Sequence, residues 1–187
     1  MGNALIITGL VAGDGNRRPN VVELYAVKDD NANGYNILLS TDLTPISIGC
    51  CFNNPNTIKE GEFYTVTDDA TAFKSYFGVD ATFTSPVITN AFATVGSPAG
   101  ERVFKIFARA TGTSDEFGNS TTTSWFYSGG WAYRNDWTRF DLTRFGGFVE
   151  SDWTFAPGAL DKGCPTNNAR KCRKPFPLGT YSAVAPR

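Results

Sequence analysis

The chain has 187 residues, 41% of them hydrophobic and 19% charged, and a net charge of −1. That length buries a sizeable core without help from metal, and the composition excludes disorder. The charge argues against nucleic acid held by phosphate neutralisation, which needs several Lys and Arg on one face, and the absence of histidine excludes Ser-His-Asp and Cys-His chemistry within the chain.

Ala4 to Val11 is a nearly continuous β-prone run, suited to a strand buried on both sides. No apolar run approaches the roughly 18 residues of a membrane span. No basic region precedes Ala4, so no signal peptide is visible; the expectation is that a signal has been removed or that the protein is made without one. Asp14-Gly15-Asn16 and Arg18-Pro19-Asn20 mark a loop before a strand over Val21 to Val27. In that strand Val22, Leu24 and Ala26 face one way, and Val21, Glu23, Tyr25 and Val27 the other. A polar turn leads to a third strand from Tyr35 to Ser40. Residues 41–60, rich in Pro, Asn and Gly and carrying Cys50-Cys51, read as long connecting loops.

Glu62 to Val66 is a fourth strand. Asp68 or Asp69 then caps a short helix over Ala70 to Phe77, with Phe73 and Phe77 on one face and Gly78 ending it. It is the one helix the pattern predicts. Ala81 to Thr84 and Ala91 to Val95 are weaker strands around Pro86, and Arg102 to Ala108 alternates well. Ser124 to Asn135 gathers Trp125, Phe126, Tyr127, Trp131 and Tyr133 around a Ser128-Gly129-Gly130 turn. Trp131 and Tyr133 share one face there, and Ala132 and Arg134 share the other. This stretch reads as the centre of a β core, with Phe117-Gly118 and Trp153 to Phe155 as further strand material. Short strands separated by turn signals predict an antiparallel β-sandwich, with one domain over 1–187.

Several of these patterns, taken in order, resemble the lamin-tail-like domains of bacteria and algae. They are Ala4-Leu-Ile-Ile-Thr-Gly9, Val22-Glu-Leu-Tyr25, Tyr64-Thr-Val66, Ala72-Phe73, Phe77-Gly78, Asp115-Glu-Phe-Gly118, Trp125 through Gly130-Trp-Ala-Tyr-Arg134, Trp153-Thr-Phe155 and Pro177-Leu-Gly-Thr-Tyr181. The resemblance implies an immunoglobulin-like β-sandwich of a secreted or surface protein, sometimes set beside nuclease or phosphatase domains. It implies an accessory or interaction module and brings no catalytic residue. The chain departs from the family at Val95-Gly-Ser-Pro-Ala-Gly-Glu101, where an acidic turn is common, so an ion site built on that turn is not expected.

Glu23 is the charged residue of an otherwise apolar strand and needs a partner if it is buried. Arg134 is the candidate partner; the alternative is that Glu23 faces solvent on a half-exposed sheet. The doublets Asp29-Asp30, Asp68-Asp69 and Asp115-Glu116 offer oxygen ligands of the kind that hold Ca²⁺. None has the alternating spacing of a calcium loop, so capping and solvation are their expected uses, and no cofactor is expected. Asp136, Asp141, Glu150 and Asp152 lie in an aromatic-rich segment and keep a glycan hydrolase as a distant alternative. Trp137, between Asp136 and Thr138-Arg139, and Phe140 are candidate surface contacts for a glycan or a neighbouring subunit. Trp125, Trp131 and Trp153 are expected in the core. Asn119-Ser-Thr121 is a glycosylation sequon, meaningful in a secretory pathway.

Cys164 and Cys172 flank a polar stretch with little to bury, so a cross-link between its ends is physically useful. Four cysteines allow three pairings, and proximity favours Cys164–Cys172, leaving Cys50 and Cys51 as thiols or as a vicinal bridge. The alternative is four reduced thiols in a cytosolic protein. The function expected from the whole is a non-catalytic interaction or adhesion module, extracellular or on the cell surface, that meets a protein or glycan. A structural subunit packing against copies of itself is the second expectation.

Overall fold

A computed structural model of the chain describes residues 4–13, 18–39, 46–47, 57–85, 88, 92, 103–118, 127–136, 148–160, 164–168 and 170–183. Twelve strands and one regular helix are assigned with end points: β1 (Leu5–Val11), β2 (Val21–Ala26), β3 (Asp30–Asn31), β4 (Tyr35–Leu39), β5 (Ile46–Ser47), β6 (Thr57–Ile58), β7 (Phe63–Thr67), α1 (Ala70–Phe77), β8 (Phe83–Thr84), β9 (Phe104–Ala108), β10 (Thr113–Phe117), β11 (Trp131–Arg134) and β12 (Trp153–Ala156). The fold is all-β and sandwich-like. One sheet runs β12-β11-β1-β2-β7-β8, the other β10-β9-β4-β5, and β3 pairs with β6 in a separate two-stranded ribbon.

β1 is the axis of the larger sheet, paired antiparallel with β2 on one side and β11 on the other. Its nearly unbroken apolar sequence is explained by what covers it: Leu5, Ile6, Ile7, Leu10 and Val11 are all fully buried. Leu5, Ile7 and Leu10 join Val22, Leu24 and Ala26 in a core closed by Ile37, Phe104, Ile106 and Phe117 of the smaller sheet. Ile6, Val11 and Val21 point the other way. They are covered by Phe73 and Tyr76 of α1 and by Phe176 and Tyr181 of the C-terminal segment. The sandwich therefore carries a third layer on its outer face.

The predicted helix has the predicted ends. Asp69 Oδ1 accepts from Thr71 N and Ala72 N, and Gly78 terminates it in the left-handed region, with its N–H bonded to Lys74 O. Removing four N-terminal donors from water without partners is costly, so this cap fixes where α1 begins. The helix carries the chain from β7 to β8, which run parallel, the one parallel pair among the described strands. A parallel neighbour needs such a crossover.

Three expectations are corrected. Phe92, within the strand expected over Ala91 to Val95, is helical and buried, as is Ile88 before it. Their i, i+4 spacing after Ser85-Pro86 is a helix start signal that outweighs local β-propensity. Residues 41–60 are not loop throughout, since β5 and β6 form there. Asp115-Glu116 lies within β10, paired along its length with β9. Its alternation places Asp115 on the buried face with Phe117, which disguises the strand because a carboxylate stands at a core position.

Candidate functional site

The larger sheet carries two buried polar centres, one on each face, and both are built around an irregularity in β1. The register between β1 and β2 shifts between Ile7 and Gly9. An extra residue in a strand leaves ladder groups without partners and aims neighbouring side chains to new places.

On the inner face, Ile7 N donates to Asp115 Oδ2 at 2.8 Å and Ile7 O accepts from Arg134 Nε at 2.8 Å. Arg134 Nη2 closes the set on Asp115 Oδ1 and Oδ2 at 2.8 and 2.7 Å, and the guanidinium lies 4.9 Å from the centre of the Trp153 ring. Arg134 thus pairs with Asp115, not with Glu23. The physical reason is parity: Arg134 shares its face with Ala132, whereas Glu23 lies in the cross-strand row of Gly9 and Tyr133, which faces outward. Burial pushes the Asp115 carboxyl up, while Arg134 and the Ile7 N–H pull it back. The pair neutralises two charges and satisfies a strand bulge in one place.

On the outer face Glu23 is fully buried. Thr8 Oγ1 donates to its Oε1 at 2.7 Å, and Gly179 N donates to its Oε2 at 2.7 Å. The Tyr133 hydroxyl lies beside the same carboxylate and accepts from Thr180 N and Tyr181 N at 3.1 and 2.8 Å. Loss of water outweighs these donors and raises the Glu23 carboxyl to about 7. The same burial, with the neighbouring carboxylate, pushes the Tyr133 hydroxyl up.

These bonds hold residues 174–182 across the sheet as a strap. Phe176 sits over Gly9, with its ring 5.2 Å from Tyr133 and 6.1 Å from Trp131. A side chain at position 9 would collide with the Phe176 ring, so the absence of a Cβ is what lets the strap lie down. Asn167 bonds both backbone groups of Phe176, at 2.7 and 2.9 Å, and its own N–H reaches Tyr76 O of α1. Trp131 Nε1 donates to Lys174 O, and Ser182 N donates to Asp136 Oδ1. Cys164 and Cys172 form the expected disulfide, with both residues buried, and close the loop that presents Asn167.

The remaining predicted residues fall in three groups. Trp131 and Trp153 are buried in the core, as expected. Asp29 accepts from Lys59 Nζ and Glu60 N, Asp30 from the Tyr35 hydroxyl, and Asp68 from Asn20. With Asp69 at its cap, these doublets serve turns and termini, and no cluster fit to hold a metal occurs among the described residues. Glu150 and Asp152 form a 3-10 turn leading into β12. Cys50, Cys51, Asn119, Trp125, Trp137, Phe140 and Asp141 lie outside the described residues.

Among the described clefts, one of about 200 Å³ is lined by Trp131, Tyr133, Asn135, Asp136, Pro177 and Thr180, beside the strap. Another of about 250 Å³ lies between Asp29, Asp30 and Ala108. Both are below the usual size of a small-molecule pocket. A broader, open hollow of about 450 Å³ over α1 is lined by Thr71, Lys74 and Asp80. Glu23 has the acidity of a general base, but it is sealed from solvent and both oxygens are engaged. Its chemistry is that of a latch. The chain matches no protein-family model, no curated protein and no solved structure.

Proposed function

We propose that the chain is a non-catalytic interaction module, an immunoglobulin-like sandwich of the lamin-tail-like kind, working outside the cell or on its surface. The observation that carries this reading is the use to which the buried ionisable groups are put. Glu23 holds the strap, and Asp115 with Arg134 holds the bulge of β1, so each is consumed in fixing the fold. A fold does not assign a function by itself, so the reading rests on these sites, where neither buried carboxylate is left open to a substrate. The Cys164–Cys172 bridge supports an oxidising compartment, because such bonds are rare where thiols are kept reduced.

A second reading, a subunit of a larger assembly, draws on the sheet edges: among the described residues, β10 and β12 each end a sheet and pair on one side. Such edges accept a further strand. Mass in solution separates the two, since an assembly subunit associates at working concentration and a solitary module stays monomeric.

The test uses the chain purified from its native compartment. Peptide mapping without reduction is expected to recover residues 164 and 172 linked, and no turnover is expected on glycan, phosphoester or nucleic-acid substrates. Two free thiols would overturn the localisation. An activity abolished by changing one carboxylate would overturn the non-catalytic reading.

A further inference from the structure

Arg170, Lys171, Arg173 and Lys174 put four cations into five consecutive positions. With +4 in this segment and −1 overall, the rest of the chain carries −5. The four side chains are exposed, while Cys172 among them is 3% exposed and turned inward. A run of charge is ordinarily a solvated face, and two observations set this one apart.

The first is that its backbone is pinned from both ends. Asn168 O accepts from Lys171 N and Cys172 N, both at 2.8 Å, and Asn168 Oδ1 accepts from Arg170 N at 2.9 Å. The disulfide ties Cys172 to Cys164, and Trp131 Nε1 holds Lys174 O at 3.0 Å. The second is the lack of compensation. Lys59, Lys74, Lys105 and Arg134 each have a carboxylate oxygen within 3.1 Å. Among the described residues, none of the four loop cations has one. Four like charges within five residues repel, and a pinned backbone limits how far they can separate. An arriving anion relieves them instead.

We propose that the disulfide-closed loop around Arg170, Lys171, Arg173 and Lys174 is a docking surface for a polyanionic glycan, a polysaccharide bearing sulfate or carboxylate groups. The proposal deepens the interaction-module reading and rests on it. A membrane surface fits less well, because binding there adds an apolar group that enters the acyl boundary. The exposed large hydrophobic residues among those described, Val79 and Val149, are outside this loop. Single-stranded nucleic acid is bound by stacking bases on exposed rings, whereas the ring at this loop, Phe176, is 2% exposed and faces Trp131 and Tyr133. Sulfate and carboxylate need only charge and donors. Two guanidinium forks and two ammonium groups supply both. The bridge is compatible with the oxidising, extracellular settings in which acidic polysaccharides are met.

The test uses the oxidised full chain and heparin as the probe, with affinity measured between about 50 and 200 mM salt. The variant R170Q/K171Q/R173Q/K174Q changes only exposed side chains, and its thermal transition checks that it folds. K59Q/K74Q is the control for general loss of charge. Expected are salt-sensitive binding by the wild type, a loss of about tenfold or more in the loop variant, and little change in the control. The wild-type slope of log affinity against log salt should be near −3, roughly four contacts at about 0.7 each. No binding by the wild type, or equal weakening in the control, would overturn the proposal. So would tighter binding to a single-stranded oligonucleotide or to phosphatidylserine vesicles than to heparin. These outcomes leave the interaction-module reading standing, because that reading fails on carboxylate-dependent turnover, which is measured separately.

Discussion

Glu23 is the place where solution pH reaches the fold most directly. Its carboxyl lies at about 7 in the folded chain against an ordinary 4.5, because burial outweighs the donors around it. The folded state therefore holds this proton more tightly than the unfolded chain does. The stability that Glu23 permits is complete below 4.5 and is lost as pH rises through 7. At roughly 1.4 kcal/mol for each pH unit between the two values, the full loss is about 3 kcal/mol, most of it between pH 5 and pH 8. Glu23→Gln removes the titration and keeps the shape. Its amide oxygen can accept from Gly179 N while its NH₂ faces the Thr8 hydroxyl, which accepts as readily as it donates. Urea unfolding of both proteins from pH 5 to pH 8 is the assay. The wild type should lose about 2–3 kcal/mol more than the variant over that range. Parallel pH profiles for the two proteins would show that Glu23 does not titrate there and would refute the latch as described.

Two further outcomes test the packing around it. Gly9→Val should cost about 1–3 kcal/mol and open residues 174–182 to limited proteolysis, because the new side chain enters the space of the Phe176 ring and lies near Tyr133. The same change in a Phe176→Ala background should cost less; an equal cost would mean that the strap is not what Gly9 accommodates. Arg134→Met should cost about 3–5 kcal/mol by leaving Asp115 buried without its partner. In a cycle with Asp115→Leu, the double variant should lose less than the two singles summed, as chemical denaturation would show.

The apolar architecture was legible because it is local. Alternation in Val21 to Val27 placed Val22 and Leu24 on one face, and Asp69 and Gly78 marked the ends of α1 within a single turn of the chain. The polar centres were not legible, because their members meet from far apart. Ile7 and Asp115 are separated by 108 positions, Ile7 and Arg134 by 127, and Glu23 and Gly179 by 156. No window of sequence holds such a pair, so Arg134 was matched with the wrong carboxylate. One signal could have corrected it. Thr113 to Phe117 alternates, and reading it as a strand puts Asp115 on the face of Phe117, where a buried carboxylate must find a cation.

The bulge of β1 explains why this chain spends charge in its interior at all. A shift of one residue in a strand buried on both faces exposes backbone groups where no water can reach them. Asp115 and Arg134 answer the inner groups with a donor and an acceptor of matching reach. On the outer face the shift brings Thr8 beside Glu23 and puts Gly9 under the strap, so one carboxylate and one missing side chain together seat the C-terminal segment. Both faces of the sheet are thus closed by consequences of a single irregularity. The strap in turn gives the disulfide loop a fixed base through Asn167 and Trp131. A loop held that way keeps its four cations outward and together, which a surface loop with loose ends would not do.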